Sequence, residues 1–319
     1  MEALTGPATA RKIREMSGTE DAIVSLVGTR GPLTGFEIQK EMRTDSLLLW
    51  RTCRTSGRLE VRSLGTRYMR LDRHVEGFAR LSPSILREFL TYCVVGLPGD
   101  RVALDERCLA LGDRIREISR LKFDRARRMV LDVMEEYEDA AEMAGRMCFI
   151  IAGDIVYNMA HDVPRPERST GKLVRGSDID LVVVTDDDVA DGPIGRLDEL
   201  IYRRKYRMLI DPDVNEEVDY KIKRLMRVRE QAAFDDFKRM VAVKILDEGV
   251  FLHGSEEIFR TVKEIIRERG LDKRLAELEA RAHVFRAKAE ASILDGSLDG
   301  ERIKETHLFY SAEEFEEFE

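Results

Sequence analysis

The spacing of apolar residues predicts that the chain begins with helices and continues into two short strands. Helical spacing predicts helices over residues 20–27, 35–42 and 46–56. Thr19 is the expected N-cap of the first helix, and Thr34 with Glu37 forms a capping-box pattern before the second. Apolar and polar residues then alternate over 59–71 around Gly65, a pattern typical of two strands joined by a turn. The first 81 residues are therefore predicted to contain three helices followed by a β-hairpin.

Further along, long amphipathic stretches alternate with short apolar runs. Residues 82–95 are predicted to form one helix, with Ser82 as N-cap and Pro83 in its first turn. Apolar runs at 147–153, 177–187, 216–222 and 249–254 predict four strands, and a single long helix is predicted over 229–246. The pattern predicts a mixed α+β protein of four segments: 1–81, a helical connector at 82–145, an α/β domain at 146–269, and a helical segment with an acidic tail at 270–319.

The order of elements in the first segment resembles a winged helix-turn-helix. In that module the third helix enters the major groove of DNA and the hairpin contacts the backbone. The resemblance implies double-stranded DNA as a partner, and residues 43–80 hold nine arginines against four acidic residues, which suits phosphate contacts. The alternative is a winged helix used for protein contact or dimerisation. The predicted DNA contacts are Ser46, Arg51, Arg54, Arg58, Arg62, Arg67 and Arg70.

Composition and charge narrow the class of protein. The 319 residues suffice for two domains, and no run of eighteen apolar residues predicts a membrane span. The N-terminus lacks the apolar segment of a secretory signal, and the four cysteines have no metal-ligand spacing, so we expect a cytoplasmic protein with reduced thiols. The net charge of −8 is unevenly distributed along the chain. Residues 1–80 hold four more basic than acidic residues, and the remainder is acidic, which suggests two surfaces with different partners. A homodimer is a further expectation, because winged-helix proteins commonly bind palindromes.

Candidate chemistry is concentrated in the segment Gly176–Val184. Asp178 and Asp180 lie two apart on a predicted strand, so their carboxylates point to one face and repel each other. A divalent cation between them would remove the repulsion, and oxygen ligands suit Mg²⁺ or Mn²⁺. Asp219, on the next predicted strand, would complete a two-metal site. The alternative is that Asp178 only begins the strand while Asp180 faces solvent, but the apolar run after Asp180 favours the metal site.

The sequence Ser-Asp-Ile-Asp-Leu-Val-Val at 177–183, followed by Asp219, resembles the polymerase-β-like nucleotidyltransferases over about residues 147–269. In that family a preceding strand ends in Gly-Ser, and the turn that follows holds a nucleoside triphosphate. The resemblance implies that Asp178 and Asp180 bind two metal ions, and that Asp219 binds the catalytic one and acts as, or orients, the base. The implied function is Mg²⁺-dependent transfer of a nucleotidyl group from a nucleoside triphosphate to an acceptor hydroxyl.

Two departures from that family pattern affect the prediction. Gly153-Asp154 stands in place of Gly-Ser, and the carboxylate of Asp154 would repel a triphosphate. The stretch 161–176 is longer than usual and carries Arg165, Arg168, Lys172 and Arg175, which would rebuild the phosphate site, grip an acceptor, or form a solvated loop. The predicted nucleotide-binding residues are Gly153, Asp154, Lys172, Arg175 and Ser177.

Two other functions compete with a transferase. The first is a DNA-binding transcriptional regulator whose transferase domain senses nucleotide and turns it over weakly, which Asp154 favours. The second is an enzyme that makes signalling oligonucleotides, which would need a pocket for an acceptor nucleotide. The sequence pattern gives no sign of that pocket.

Overall fold

The computed structural model describes residues 7–167, 170–298, 302–303, 307 and 309–310. The protein is of mixed α+β class, as the sequence predicts. It divides into two compact units that are discontinuous in sequence, unlike the contiguous segments that we expect from the pattern. The first unit consists of Met1–Tyr68, Arg80–Arg114 and Ala282–Glu319, and the second of Met69–Ala79 and Ile115–Arg281.

The first unit opens with the three predicted helices, but a short strand that the sequence pattern does not predict lies between the first two. The helix predicted over 20–27 is part of a longer one, so Thr19 lies inside it and is not its N-cap. The capping box at the second helix is confirmed, since Thr34 accepts from the amide of Glu37 and its own amide donates to the Glu37 carboxylate at 2.7 Å. These elements are α1 (Pro7–Arg30), β1 (Leu33–Thr34), α2 (Gly35–Met42), α3 (Ser46–Thr55) and β2 (Glu60–Ser63).

The predicted β-hairpin is wrong in its pairing. The strands that follow are β3 (Tyr68–Leu71), β4 (Ala79–Ser82) and, after helix α4 (Ile85–Tyr92), β5 (Cys93–Gly96). β2 pairs with β5 and β5 pairs with β1, all antiparallel, so the sheet has the order β1-β5-β2, while β3 and β4 belong to a separate two-stranded sheet. The last residues of the predicted helix 82–95 thus form the central strand β5. Its buried residues Val94 and Val95 pair with β1 on one side and with β2 on the other. The N-cap of α4 is Ser84, which accepts from the amide of Arg87, and not Ser82.

The second unit is built on a four-stranded sheet that confirms the four predicted strands. Most of the predicted connector is one helix of 36 residues. The stretch 161–176, for which a solvated loop is one of the predicted alternatives, contains a small antiparallel strand pair. The elements from α5 to the third strand of the sheet are α5 (Arg101–Glu136, which begins in the first unit), α6 (Ala140–Met143), β6 (Met147–Ala152), β7 (Pro164–Pro166), β8 (Leu173–Arg175), β9 (Ile179–Thr185), α7 (Asp191–Ile210) and β10 (Val218–Arg224).

The remaining elements complete the sheet and cover it with helices. The helix predicted over 229–246 is two helices, and Asp236 begins the second by accepting from the amide of Arg239. These elements are α8 (Leu225–Gln231), α9 (Phe237–Glu248), β11 (Val250–Gly254), α10 (Glu256–Glu268) and α11 (Leu271–Leu294). The acidic tail lies outside the described residues. None of the described helices combines the length and the hydropathy that a bilayer span requires.

The sheet has the order β10-β9-β6-β11, and only β9 and β10 are parallel among these neighbours. Helix α7 makes the crossover that a parallel pair requires. Alternate residues of β6 and β9, such as Phe149 and Val183, are buried in a core with α5 and α7. The first residues of β9 and β10, which include Asp180 and Asp219, are thereby side by side at one end of the sheet.

Candidate metal and nucleotide site

Three aspartates meet where β9 and β10 begin. The parallel register places Asp219 directly opposite Asp180, and Asp178 immediately precedes β9. One carboxylate oxygen from each of the three lies within 4.8 Å of the others. Strand alternation puts Asp178 and Asp180 on one face, and the register brings Asp219 to it. The structure therefore brings together the three residues that the sequence predicts as metal ligands.

These carboxylates repel one another, and the repulsion falls most heavily on Asp180. Burial and the charge of Asp178 raise the pKa of Asp180 well above 3.8; Arg70 opposes this shift, and Asp154 and Asp219 add to it. Asp219, on the edge strand, has 57% of its side chain exposed. The donor set of crowded carboxylate oxygens fits Mg²⁺ or Mn²⁺, since a bound cation would relieve the repulsion.

A glycine allows Asp180 to take this position. Gly153 follows β6 with φ of +78°, and a Cβ atom there would lie 2.4 Å from Oδ2 of Asp180. The amide of Gly153 donates to Oε1 of Glu248 at 3.2 Å. Glu248 also accepts from the hydroxyl of Tyr157 at 2.9 Å and is ion-paired with Lys244. The turn after β6 is therefore held from α9, and glycine is required both by its backbone angle and by the carboxylate beside it.

Asp154 is fixed beside the cluster by Ser177. The hydroxyl of Ser177 donates to the Asp154 carboxylate at 2.8 Å and accepts from the amide of His161 at 3.2 Å. The amide of Ser177 in turn donates to the carbonyl of His161 at 3.0 Å. Ser177 thus orients Asp154, and the negative charge of Asp154 acts on Asp180.

Of the described basic residues in 161–176, Arg165 is the one at the cluster. Its Nε donates to the carbonyl of Gly176 at 2.8 Å, and its guanidinium lies 2.8 Å from Glu217 and 3.9 Å from Asp178. The side chains of Lys172 and Arg175 are exposed and line neither of the two cavities described below. Arg168 lies outside the described residues.

Sequence reasoning missed Lys205, which contacts Asp219. Its amine lies 3.1 Å from Oδ1 of Asp219, and both residues line an open cleft of about 790 Å³. Asp180 and Lys221 line the same cleft. The run Tyr-Arg-Arg-Lys-Tyr-Arg at 202–207 is a weak signal in the sequence, but which of its cations faces the carboxylates depends on how α7 packs against β10.

Glu216 was also missed, and it anchors the start of β10. It is fully buried and ion-paired with Lys122, itself almost fully buried, and with Arg125. Lys122 also donates to the carbonyl of Arg175 at 2.6 Å. Burial lowers the pKa of Lys122, while the charge of Glu216 raises it. This buried ion pair fixes the segment that precedes Asp219.

The arginines predicted to bind DNA are mostly engaged within the protein. Arg51 is 7% exposed and donates to the carbonyls of Ile293 at 2.8 Å and Leu298 at 3.0 Å, so it is not at the surface to contact a base. Arg67 makes a bidentate pair with Glu88 at 2.9 Å. Arg58 pairs with Asp21, and Arg62 pairs with Glu60 and Asp105.

The remaining predicted DNA contacts lie in different places. Arg54, on α3, is exposed. Ser46 is half-buried, and its hydroxyl accepts from the side-chain amide of Gln39. Arg70 belongs to the second unit, where its charge acts on Asp180. In the first unit, Arg54 is thus the predicted arginine that is exposed with no ion pair described, while Arg51 is buried.

Comparison of the chain with protein-family models, with curated proteins and with solved structures found no match. A functional assignment therefore rests on the carboxylate cluster and on what surrounds it.

Proposed function

We propose that this protein is a Mg²⁺- or Mn²⁺-dependent nucleotidyltransferase of the polymerase-β-like kind. The observation that carries the proposal is the cluster of Asp178, Asp180 and Asp219, whose oxygens lie within 4.8 Å of one another on adjacent parallel strands. The glycine turn at Gly153, packed against Asp180, supports it further. The reaction would transfer a nucleotidyl group from a nucleoside triphosphate to an acceptor hydroxyl and release pyrophosphate.

Each aspartate would have its own part in this reaction. Asp178 and Asp180 would hold divalent cations, and Asp219 would bind one of them and face the acceptor, because it is the most exposed of the three. The cations would supply charge neutralisation at the phosphates and a lower pKa for the attacking hydroxyl. The residues around them would supply positioning, which provides most of the catalysis in phosphoryl transfer.

The cleft beside the cluster suits a nucleotide. It has a volume of about 790 Å³, within the range of small-molecule sites, and Lys205 and Lys221 provide positive charge along it. The partly exposed apolar side chains of Ile194, Ile222 and Ile245 line the same cleft and offer surface to a base or a sugar. The predicted contribution of Lys172 and Arg175 to phosphate binding is not part of this proposal, since their side chains do not line the cleft.

A specific observation favours a second function, a DNA-binding regulator that senses nucleotide. Asp154 places a fixed carboxylate where a hydroxyl would meet a triphosphate, which would weaken turnover. In the first unit, the order of α1, β1, α2, α3, β2 and β5 and the sheet order β1-β5-β2 are compatible with a winged helix. Against this function, Arg51, Arg58, Arg62 and Arg67 are engaged within the unit.

Metal-dependent nucleotide binding tests both functions without knowledge of an acceptor. We expect the full chain to bind a nucleoside triphosphate analogue with a non-hydrolysable α,β linkage in the presence of Mn²⁺, and to lose binding with EDTA. The double variant Asp178→Asn, Asp180→Asn should not bind it. Asp213→Asn is the matched control, because Asp213 is an exposed aspartate that does not line the cleft. Wild-type protein that binds no nucleotide with either cation would contradict both functions.

Pyrophosphate release then separates the transferase from the sensor. Each of the four nucleoside triphosphates would be incubated with Mg²⁺ or Mn²⁺ and a cell extract as acceptor source. Release that disappears in the double variant supports the transferase and names its nucleotide. Nucleotide binding without release supports the regulator.

A further inference from the structure

Two tyrosines expose their rings beside the carboxylate cluster. Tyr202 and Tyr206 lie four residues apart on α7, so they share one face of the helix. Their exposed fractions are 60% and 51%, although a tyrosine ring is a large apolar surface that proteins usually bury against other groups. Exposed rings on one face of a helix can stack against an aromatic ligand.

The rings belong to a second cavity, here named the tyrosine pocket. It has a volume of about 270 Å³, which suits one nucleoside and not a longer chain. The carboxylates of Glu167 and Glu217, the hydroxyl of Thr170 and the amine of Lys205 give it polar groups. The other residues that line it are Tyr202, Tyr206, Leu209 and Val218.

The tyrosine pocket adjoins the site of chemistry through Lys205. This lysine lines both the tyrosine pocket and the larger cleft, and its amine lies 3.1 Å from Oδ1 of Asp219. Glu217 lies two residues before Asp219 on the same side of the chain, and Arg165 holds its carboxylate at 2.8 Å. A ligand in the tyrosine pocket would therefore have one end next to the most exposed carboxylate of the cluster.

We propose that the tyrosine pocket is the acceptor site and that it binds a nucleoside, either free or at the 3′ end of an RNA chain. This inference rests on the proposed nucleotidyltransferase function. The base stacks on Tyr202 and Tyr206, as bases stack on exposed aromatic rings in single-strand binding proteins. Glu217 accepts hydrogen bonds from amino or hydroxyl groups of the ligand, and a ribose hydroxyl points toward Asp219.

With a nucleoside as acceptor, the transfer forms one bond to phosphorus and breaks another. The ribose oxygen forms a bond to the α-phosphorus of the nucleoside triphosphate, and the bond between that phosphorus and the oxygen bridging to the β-phosphate breaks. The bridging oxygen keeps the electron pair and leaves with pyrophosphate. The hydroxyl proton passes by way of the Asp219 carboxylate to solvent. No oxidant or reductant is required.

Equilibrium binding to the full chain in Mn²⁺ tests the pocket directly. The probes are the four ribonucleosides and a five-nucleotide RNA with a free 3′ hydroxyl, compared with the same RNA carrying a 3′ phosphate. We expect Tyr202→Ala and Tyr206→Ala each to weaken binding about tenfold, the loss that one stacking contact gives. Tyr202→Phe and Tyr206→Phe should bind as wild type, because they keep the ring. Leu131→Ala, which truncates another exposed side chain on a helix, is the control.

The source of the nucleoside follows from which probe binds. Tight binding of free nucleosides, with no gain from RNA, identifies a small-molecule acceptor. Tighter binding of the RNA, lost when its 3′ hydroxyl is phosphorylated, identifies an RNA end. Failure of every probe to bind wild-type protein overturns the proposal, as does binding that both alanine variants leave unchanged while their melting temperatures equal that of wild type.

Pyrophosphate release separates this proposal from the transferase assignment. If release depends on Asp178 and Asp180 but is unchanged by the tyrosine variants at limiting acceptor, the transferase stands and the acceptor pocket is overturned. If nucleosides bind through the tyrosines while nucleotide binding and release are absent, the pocket stands and the transferase fails. We expect the alanine variants to raise KM for the acceptor about tenfold and to leave KM for the nucleoside triphosphate unchanged.

Discussion

The Cα atom of Gly153 lies so close to Asp180 that a methyl group on it would approach Oδ2 of the carboxylate to 2.4 Å. The position of Asp180, one of the three candidate ligands, thus depends on the glycine that follows β6. Ala152, which precedes Gly153, pairs with Asp180, so the pairing of β6 with β9 holds the glycine and the carboxylate together. This contact, together with the positive φ, explains why the turn after β6 needs glycine.

Gly153→Ala should therefore weaken metal binding more than backbone strain alone explains. The matched control is Gly171→Ala, since Gly171 also has a positive φ, of +67°, but nothing lies within 4 Å of a Cβ there. Both variants should lose about 1 kcal/mol of stability from the left-handed backbone angle. Titration with Mn²⁺ should show weaker affinity only in Gly153→Ala. Equal affinity in the two variants would mean that Asp180 does not need this space.

Asp180→Asn should make the metal-free protein more stable at neutral pH. The pKa of Asp180 is raised in the folded state, so the fold binds its proton more tightly than the unfolded chain does. Wild-type protein in EDTA accordingly loses stability as pH rises from about 4 through the raised pKa, and the variant, which does not ionise, escapes that loss.

Melting temperatures measured from pH 4 to pH 8 check this prediction. The variant should exceed wild type by a few degrees at pH 8, and the difference should shrink toward pH 4. With Mn²⁺ the order should reverse, because only wild type gains from the cation. A wild-type protein more stable than the variant in EDTA at pH 8 would argue that Arg70 outweighs the repulsion.

Glu248 should act as a positioning residue for the turn at Gly153. Glu248→Gln keeps an oxygen that accepts from the amide of Gly153, whereas Glu248→Ala removes it; both variants lose the ion pair with Lys244. We expect the alanine variant to bind Mn²⁺ more weakly and to be destabilised by about 1–3 kcal/mol. The glutamine variant should keep most of the metal affinity. Identical metal affinities for the two variants would limit Glu248 to a role in stability.

The charged amine of Lys223 should lower the free energy of unfolding at neutral pH. Burial, together with the charges of Arg227 and Lys221, lowers the pKa of Lys223 to about 8 from 10.5. The loss of stability is complete well below pH 8. It shrinks as pH rises from 8 to 10.5 and is absent above 10.5, where the amine is neutral in both states. Lys223→Met should therefore melt a few degrees above wild type at pH 7, with the difference shrinking at pH 10. A lower melting temperature for the variant at pH 7 would show that the hydrogen bond to Gln231 matters more.

Arg51 should contribute to stability, whereas the exposed Arg54 should not. Arg51→Ala removes two hydrogen bonds to main-chain carbonyls near the end of α11, at a cost of about 1–3 kcal/mol. Arg54→Ala, on the same helix, should change the melting temperature by little. If the first unit binds DNA, Arg54→Ala should lower the affinity and reduce its salt dependence. Equal melting temperatures for the two variants would contradict the buried role of Arg51.

Local patterns in the sequence predicted the elements that depend on local interactions. The capping box at Thr34 and Glu37 forms as predicted, because its two hydrogen bonds join residues three apart. The apolar run after Asp180 forms β9, since buried Val182, Val183 and Val184 suit a strand covered on both faces. In contrast, Val94 and Val95 carry a helical spacing, and only their pairing with β1 and β2 makes them a strand.

The sequence by itself determined the mixed α+β class, the four strands of the second unit and the three candidate ligands Asp178, Asp180 and Asp219. These follow from alternation and from the spacing of like charges, which are properties of neighbours in the chain. Tertiary structure decided which side chains reach those ligands. Lys205 contacts Asp219, Glu248 holds the turn at Gly153, and the charge of Arg70 acts on Asp180, whereas Arg51 is buried in the first unit. These placements depend on helix rotation and long-range strand pairing, which follow from how distant segments pack and not from local spacing.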